Sequence, residues 1–231
     1  MEKNEFPRFR DFKDFPPPEE ESSLKPKLQW LQGKTFNIIK LVFGICLLMF
    51  VYSFAASFLG ELKTIGKPLE TEFWAGMISF VLFYFFVWEP ALIYRKGFQL
   101  LEWLFKFFAP MFKIAPYVLP VYSILAFFIY VLLTFFVKNE DMVNYFVFIF
   151  GLTLAMHLVF SGKTLRGKKG DFLKSNYIFG FSFIFILNTL VAAFFMSLLF
   201  EKFSFVNFFN GGIKSAVDLF TMAFRQIFAL N

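Results

Sequence analysis

The sequence has a single cysteine and a single histidine, Cys46 and His157. An internal disulfide needs two cysteines, and a structural zinc site needs several cysteine or histidine ligands. We therefore expect neither in this chain. The chain also lacks a Ser/His/Asp set, a pair of aspartates within its apolar runs and a glycine-rich phosphate loop. We therefore predict no enzymatic activity, no metal site and no cofactor.

Charge is scarce as well, at 17% of the residues, whereas a typical soluble domain has about 25%. Hydrophobic residues make up 58% of the chain, and 42 of its 231 residues are phenylalanine. One water-soluble core cannot bury so many aromatic rings, so lipid is the expected surrounding of most of them. The composition predicts an all-α integral membrane protein.

Five apolar runs are long enough to cross about 30 Å of hydrocarbon as helices. They cover residues 36–59, 73–94, 116–137, 142–160 and 177–200. We predict five transmembrane helices from these runs. A sixth is left open over residues 211–231, which are just long enough to span a bilayer but carry three charges.

Most of the basic residues lie outside the apolar runs, so the net charge of +6 indicates membrane topology rather than nucleic-acid binding. Sixteen lysines and arginines fall in residues 1–35, 95–113 and 161–176, but only three fall in the opposite set of connections. The positive-inside rule then places the N-terminus in the cytoplasm. The membrane is the inner cell membrane if the source is bacterial, with an organelle membrane as the alternative.

Two further segments have the pattern of amphipathic helices. Between residues 97 and 113, the polar residues Gln99, Glu102, Lys106 and Lys113 share one helical face. Over residues 212–230, the polar face consists of Lys214, Asp218, Thr221 and Arg225. We expect both segments to be interfacial helices in the headgroup layer, with a membrane span as the alternative for the second.

Residues 1–35 form a separate polar and aromatic arm before the membrane domain of residues 36–231. The arm has a phenylalanine at every third position, followed by three prolines, and its aromatic residues are Phe6, Phe9, Phe12 and Phe15. A polyproline II helix repeats every three residues, so these rings would share one edge of an extended or disordered arm. They are candidates for docking to a partner protein, or for dipping into the membrane interface.

Glu89 and His157 are the candidate site for a proton or cation. Glu89 precedes Pro90 near the end of the second run, and His157 lies near the end of the fourth. The predicted topology places both near the cytoplasmic boundary, where an acid and an imidazole in contact would relay protons. The alternatives are that Glu89 reaches toward Arg95 and Lys96, and that His157 is packed without a chemical role.

The connection at residues 161–176 is the most basic stretch of the chain. We expect Lys163, Arg166, Lys168 and Lys169 to contact anionic lipid headgroups or, alternatively, only to set the topology.

Asn188 lies near the middle of the fifth run and is expected to form an interhelical polar contact. The pairs Ser53–Ser57, Ala56–Gly60 and Ala193–Ser197 have the small-xxx-small spacing that permits close helix packing.

These patterns favour an accessory or scaffold subunit of a larger membrane complex, without catalytic activity. The expected partners are the lipid bilayer and other membrane subunits or further copies of the chain. The alternative function is a small transporter or channel component that uses Glu89, with or without His157, for protons or cations. A third alternative is a lipid-handling membrane enzyme.

Overall fold

The structure, a computed structural model, describes residues 19–86, 95–97, 99, 118–137, 139, 141–166 and 177–228, with only the backbone for residues 19–34, 37 and 166. These residues form helices and connections without a β-strand. The principal helices are α1 (Glu19–Thr64), α2 (Lys67–Phe86), α3 (Val121–Phe136), α4 (Met142–Arg166), α5 (Tyr177–Leu199) and α6 (Phe205–Phe228). The chain divides into residues 1–39 and residues 40–231, and the packing below concerns the second unit.

The breaks between helices have local causes. Gly66 separates α1 from α2 with a φ of 107°, a left-handed conformation that glycine adopts without a steric penalty. Pro120 precedes α3 and has no N–H, so α3 cannot extend regularly back through it. Val137 is extended after the end of α3, and the Asn139 side chain accepts a hydrogen bond from the Asp141 amide before α4 begins.

Neighbouring contacts show which helices run in the same direction. α3 is antiparallel to α4, since Ser123 meets Thr153 while Tyr130 meets Phe146. α3 is parallel to α5, because Val118 meets Asn188 and Phe127 meets Phe195. The connection between α3 and α4 and the one between α5 and α6 therefore share one end of the bundle, which we call the loop end. The connection between α1 and α2 at residues 65–66 lies at the same end, because α2 runs parallel to α4.

Helices α2 and α4 run parallel and approach each other at two glycines. A Cβ atom at Gly76 would overlap the carbonyl oxygen of Phe148, and one at Gly151 would overlap that of Phe73. The missing side chains thus allow backbone-to-backbone contact, as in small-residue interfaces of membrane helices. One helical level further on, Phe80 packs edge-on against Phe160.

Helix α6 packs lengthwise along α1 in the antiparallel direction. Ser57 donates a 2.7 Å hydrogen bond to the carbonyl oxygen of Phe208, and the ring of Phe50 lies 5.6 Å from that of Phe220. Between these contacts, a Cβ at Gly212 would come within 2.9 Å of the Phe54 ring. The paired stretch of α6, residues 208–220, corresponds to about 18 Å of helical rise.

At the loop end, α1 is tied to the connection between α5 and α6. The Glu61 carboxylate accepts a 3.0 Å hydrogen bond from the Ser204 backbone N–H. Thr64 Oγ1 donates to a backbone carbonyl, with the oxygens of Glu61 and Lys202 at 2.7 and 2.8 Å. The buried ring of Phe58 in α1 lies 5.7 Å from the buried ring of Phe203 in the same connection.

Many apolar side chains remain on the surface of the helices. Phe86 is 81% exposed and Phe136 is 83% exposed, although both lie on long apolar helices. Among the described residues, four helical segments are long and apolar enough to cross a membrane: Ile38–Thr64, Lys67–Phe86, Met142–Leu165 and Tyr177–Leu199. Helices with apolar surfaces of this kind, over the residues described, are consistent with the predicted α-helical membrane protein.

The described helix bounds differ from the apolar runs mainly at their ends. α1 begins at Glu19, within the predicted arm, after the three prolines at positions 16–18. α2 already begins at Lys67, before its apolar run at residue 73. The Val121–Phe136 helix is a shorter apolar helix than the four candidate spans. Residues 100–113 of the first amphipathic segment lie outside the described residues.

Candidate functional site

A track of hydroxyl and imidazole groups follows one side of α4. Thr153, His157 and Ser161 are spaced four residues apart, so they stack along one helical face. The Thr153 hydroxyl lies 3.0 Å from the Ser123 hydroxyl of α3. Thr153 Oγ1 also lies 2.9 Å from the Ile149 carbonyl oxygen and 3.1 Å from that of Phe150, and either hydroxyl can be the donor of the link between α3 and α4.

His157 is the chemically most versatile member of this track. Its side chain is 4% exposed, and its Nε2 lies 3.2 Å from Ser161 Oγ, which is itself buried. The donor in this pair depends on which imidazole nitrogen carries the proton. An imidazole nitrogen and a hydroxyl at this distance can exchange a proton with each other. Glu89 lies outside the described residues, so its predicted pairing with His157 is not placed.

Asn188 joins α5 to the irregular start of α3. Its side chain is fully buried, and Nδ2 donates hydrogen bonds to the carbonyls of Val118, at 2.9 Å, and Ile184, at 2.8 Å. Val118 directly precedes the non-helical residues 119 and 120. Non-helical backbone at membrane depth is tolerated only where the protein satisfies its polar groups. Asn188 supplies such a hydrogen bond, while its own Oδ1 is buried without a partner.

A cavity of about 430 Å³ opens between α2, α4 and α5 near the C-terminal end of α4. Its polar lining comes from Tyr84, Lys163 and Tyr177, and its apolar lining from Leu158, Val159, Gly162 and Phe181. An ammonium group and two phenol hydroxyls are donors that suit a phosphate, and the apolar wall suits an acyl chain. Of the other predicted lipid-contact residues, Arg166 is the last residue of α4, and Lys168 and Lys169 lie outside the described residues.

Lys40 is a buried polar residue that the sequence analysis missed. It lies within the first apolar run, and its side chain is 5% exposed. Gly44, one turn later on the same face of α1, abuts the backbone of Phe179 in α5. A lone lysine inside an apolar run is the signal that would have singled it out, since such residues are functional candidates in membrane helices.

The remaining predicted features give no site in the described residues. Phe6, Phe9, Phe12 and Phe15 lie outside them. Within the described ranges, no group of three or more histidine, cysteine, aspartate or glutamate side chains is placed to hold a metal ion.

In the part of the chain that the structure describes, the fold is helical, with four helices suited to crossing a membrane. The chain matches no model of a protein family, no curated protein and no solved structure.

Proposed function

We propose that this chain is a non-catalytic subunit of a larger membrane assembly, with an accessory or scaffold role. The observation that carries the proposal is the charged face of α6, where Lys214, Asp218 and Arg225 are exposed. A charged face on a helix at membrane depth needs a partner or a water-filled space, because hydrocarbon solvates charge poorly.

The position of α6 follows from its contacts with α1. Residues 208–220 of α6 run along residues 50–58 of α1, which belong to the apolar segment Ile38–Thr64. If α1 crosses the bilayer, this part of α6 lies within the hydrocarbon layer. The packing therefore favours α6 as a membrane-embedded helix over the interfacial helix expected from its composition.

The same reasoning supports α3 as a further crossing. α3 runs antiparallel to α4 and ends at the loop end beside it. Its 16 residues correspond to about 24 Å of helical rise. Residues 118–120, which precede the helix, add to the length of the proposed crossing. We propose that the N-terminus is cytoplasmic and the loop end is on the opposite side, as the distribution of basic residues favours.

Native mass measurement after gentle extraction tests the proposed role. The expected result is a complex heavier than the 27.1 kDa chain, held together after removal of bulk lipid. Strong detergent should dissociate it, because membrane subunit contacts depend on a lipid-like surrounding. A homogeneous monomer without any bound protein under gentle conditions would contradict the proposal.

A transporter or channel component is the second candidate, and the buried pair of His157 and Ser161, with Thr153 one turn before it on α4, favours it. Glu89→Gln should then abolish proton or cation flux in proteoliposomes while folding is retained. His157→Gln should lower the flux by about ten- to a hundredfold, since it removes the titratable group but keeps a hydrogen-bonding side chain.

Glu201→Gln is the matched control for this flux measurement, because Glu201 is an exposed carboxylate at the loop end. Its flux should equal that of the unmodified protein. Equal flux in the Glu89→Gln chain would remove the transport role from that residue.

A further inference from the structure

Helix α6 has three distinct faces in the structure. One face is buried against α1 through Phe208, Gly212 and Ala216. The apolar residues Ile213, Val217 and Phe224 are exposed on a second face. The third face, which we call the polar stripe, consists of exposed residues at helical spacing: Asn207, Lys214, Asp218, Thr221 and Arg225.

The charged part of this polar stripe lies far from the end of the bundle. Lys214 falls between the levels of Gly212, which contacts Phe54, and Phe220, which contacts Phe50. Residues 50–54 of α1 precede its end at Thr64 by 10 to 14 positions, or about 15–21 Å of helical rise. With α1 across the bilayer, Lys214 is therefore near the middle of the hydrocarbon. Asp218 is one helical turn further from the loop end.

We infer that the polar stripe is the contact surface of a homodimer, in which Lys214 of each copy pairs with Asp218 of the other. The inference rests on the proposed subunit role and names the partner as a second copy. Its ground is charge complementarity, since the stripe carries a positive and a negative charge one turn apart. A two-fold axis along the membrane normal brings two parallel α6 helices together.

The geometry of such a pair suits the two side chains. The offset between Lys214 and Asp218 is about 6 Å along the helix, which a lysine side chain covers when it reaches toward a neighbouring helix. A two-fold axis forms both ion pairs at once, because each copy offers the same patch. Each pair removes two charges from contact with lipid, and this removal favours association.

Charge reversal tests this arrangement. Lys214→Asp gives a chain with two carboxylates on the stripe, and Asp218→Lys gives one with two ammonium groups. Each variant alone should self-associate at least about tenfold more weakly, measured by energy transfer between two labelled populations in lipid vesicles. Mixing the two variants should restore association, since both ion pairs then form between unlike chains.

The mixture separates pairing between chains from pairing within one helix. Lys214 and Asp218 are four residues apart, so a pair within α6 is the competing explanation. Each variant chain then has like charges within its own helix, and mixing would restore nothing. Lys63→Asp, a reversal of an exposed charge at the end of α1, is the matched control and should associate normally.

Three outcomes overturn the inference: unchanged association of the single variants, no recovery in the mixture, or a monomer in the unmodified protein. If the reversed chains do not insert into the membrane, the neutral double variant Lys214→Gln with Asp218→Asn replaces them and should show weakened association. Association of this double variant as strong as that of the unmodified protein would also contradict the inference. A heavy native complex without recovery in the mixture would mean that the complex is held together by contacts other than this ion pair between two copies. The proposed role as a subunit would then stand without the homodimer.

Discussion

Gly76→Ala should lower the free energy of unfolding by about 3 kcal/mol, because the added methyl group would overlap the Phe148 carbonyl oxygen. Alanine is the better helix former by up to about 1 kcal/mol, so the clash must exceed that gain. The neighbouring atoms are backbone and cannot rotate away, so α2 and α4 must separate. Denaturation of the purified protein in mixed micelles, followed by loss of helicity, measures the change.

Gly60→Ala is the matched control for this substitution. Gly60 is also within an apolar helix, but a Cβ there would have no neighbour within 4 Å. The control should leave stability unchanged or raise it by up to about 1 kcal/mol through helix propensity. Equal effects at Gly60 and Gly76 would show that the two helices do not touch there.

The reciprocal glycine adds a second check on the same interface. Gly151→Ala should be similarly destabilising, because its Cβ would overlap the Phe73 carbonyl oxygen. The double variant should cost less than the sum of the single variants, since helices separated by one methyl group already have room for the other. If the stability losses of the two single variants added fully in the double variant, the two glycines would not share one contact between α2 and α4.

Asn188→Leu should lower the free energy of unfolding by about 2 kcal/mol. The leucine has a similar size but no donor, so the buried Val118 carbonyl loses its hydrogen bond from α5. The loss falls next to the non-helical residues 119 and 120 that precede α3. Hydrogen exchange of the amides at residues 121–125 should become faster, because α3 is less firmly held at that end.

Ser197→Ala is the control for Asn188→Leu. The Ser197 hydroxyl donates to the Phe194 carbonyl of its own helix, so its removal breaks no contact between helices. We expect a change within about 0.5 kcal/mol and unaltered exchange in α3. An Asn188→Leu chain as stable as this control would contradict the role of Asn188 as a link between α5 and α3.

Small-residue spacing in the sequence identified candidate helix contacts but did not select among them. Ser57 of the Ser53–Ser57 pair bonds to α6, and Ala193 of the Ala193–Ser197 pair is fully buried. Ala56 and Gly60 have the same spacing and are exposed. Gly76 and Gly151, which form the closest packing, are 75 positions apart, so a pattern within one helix cannot reveal them.

The sequence by itself determined the class of the protein. Helix formation and preference for lipid depend on the composition of about 20 consecutive residues, so the apolar runs led directly to the helices α1, α2, α4 and α5. The same local reasoning identified residues 212–230 as an amphipathic helix. It could not place α6, because an amphipathic pattern is the same for a helix on a membrane surface and for one beside another helix.

Only the tertiary structure decided which partner each polar group has. Asn188 was recognisable as an interhelical donor, but its acceptor is 70 positions away, and the Ser57 acceptor is 151 positions away. Such pairings depend on the fit of side chains along whole helices rather than on local composition. The same fit placed Lys214 and Asp218 beside residues 50–54 of α1, and this placement is the basis on which we propose a partner for them.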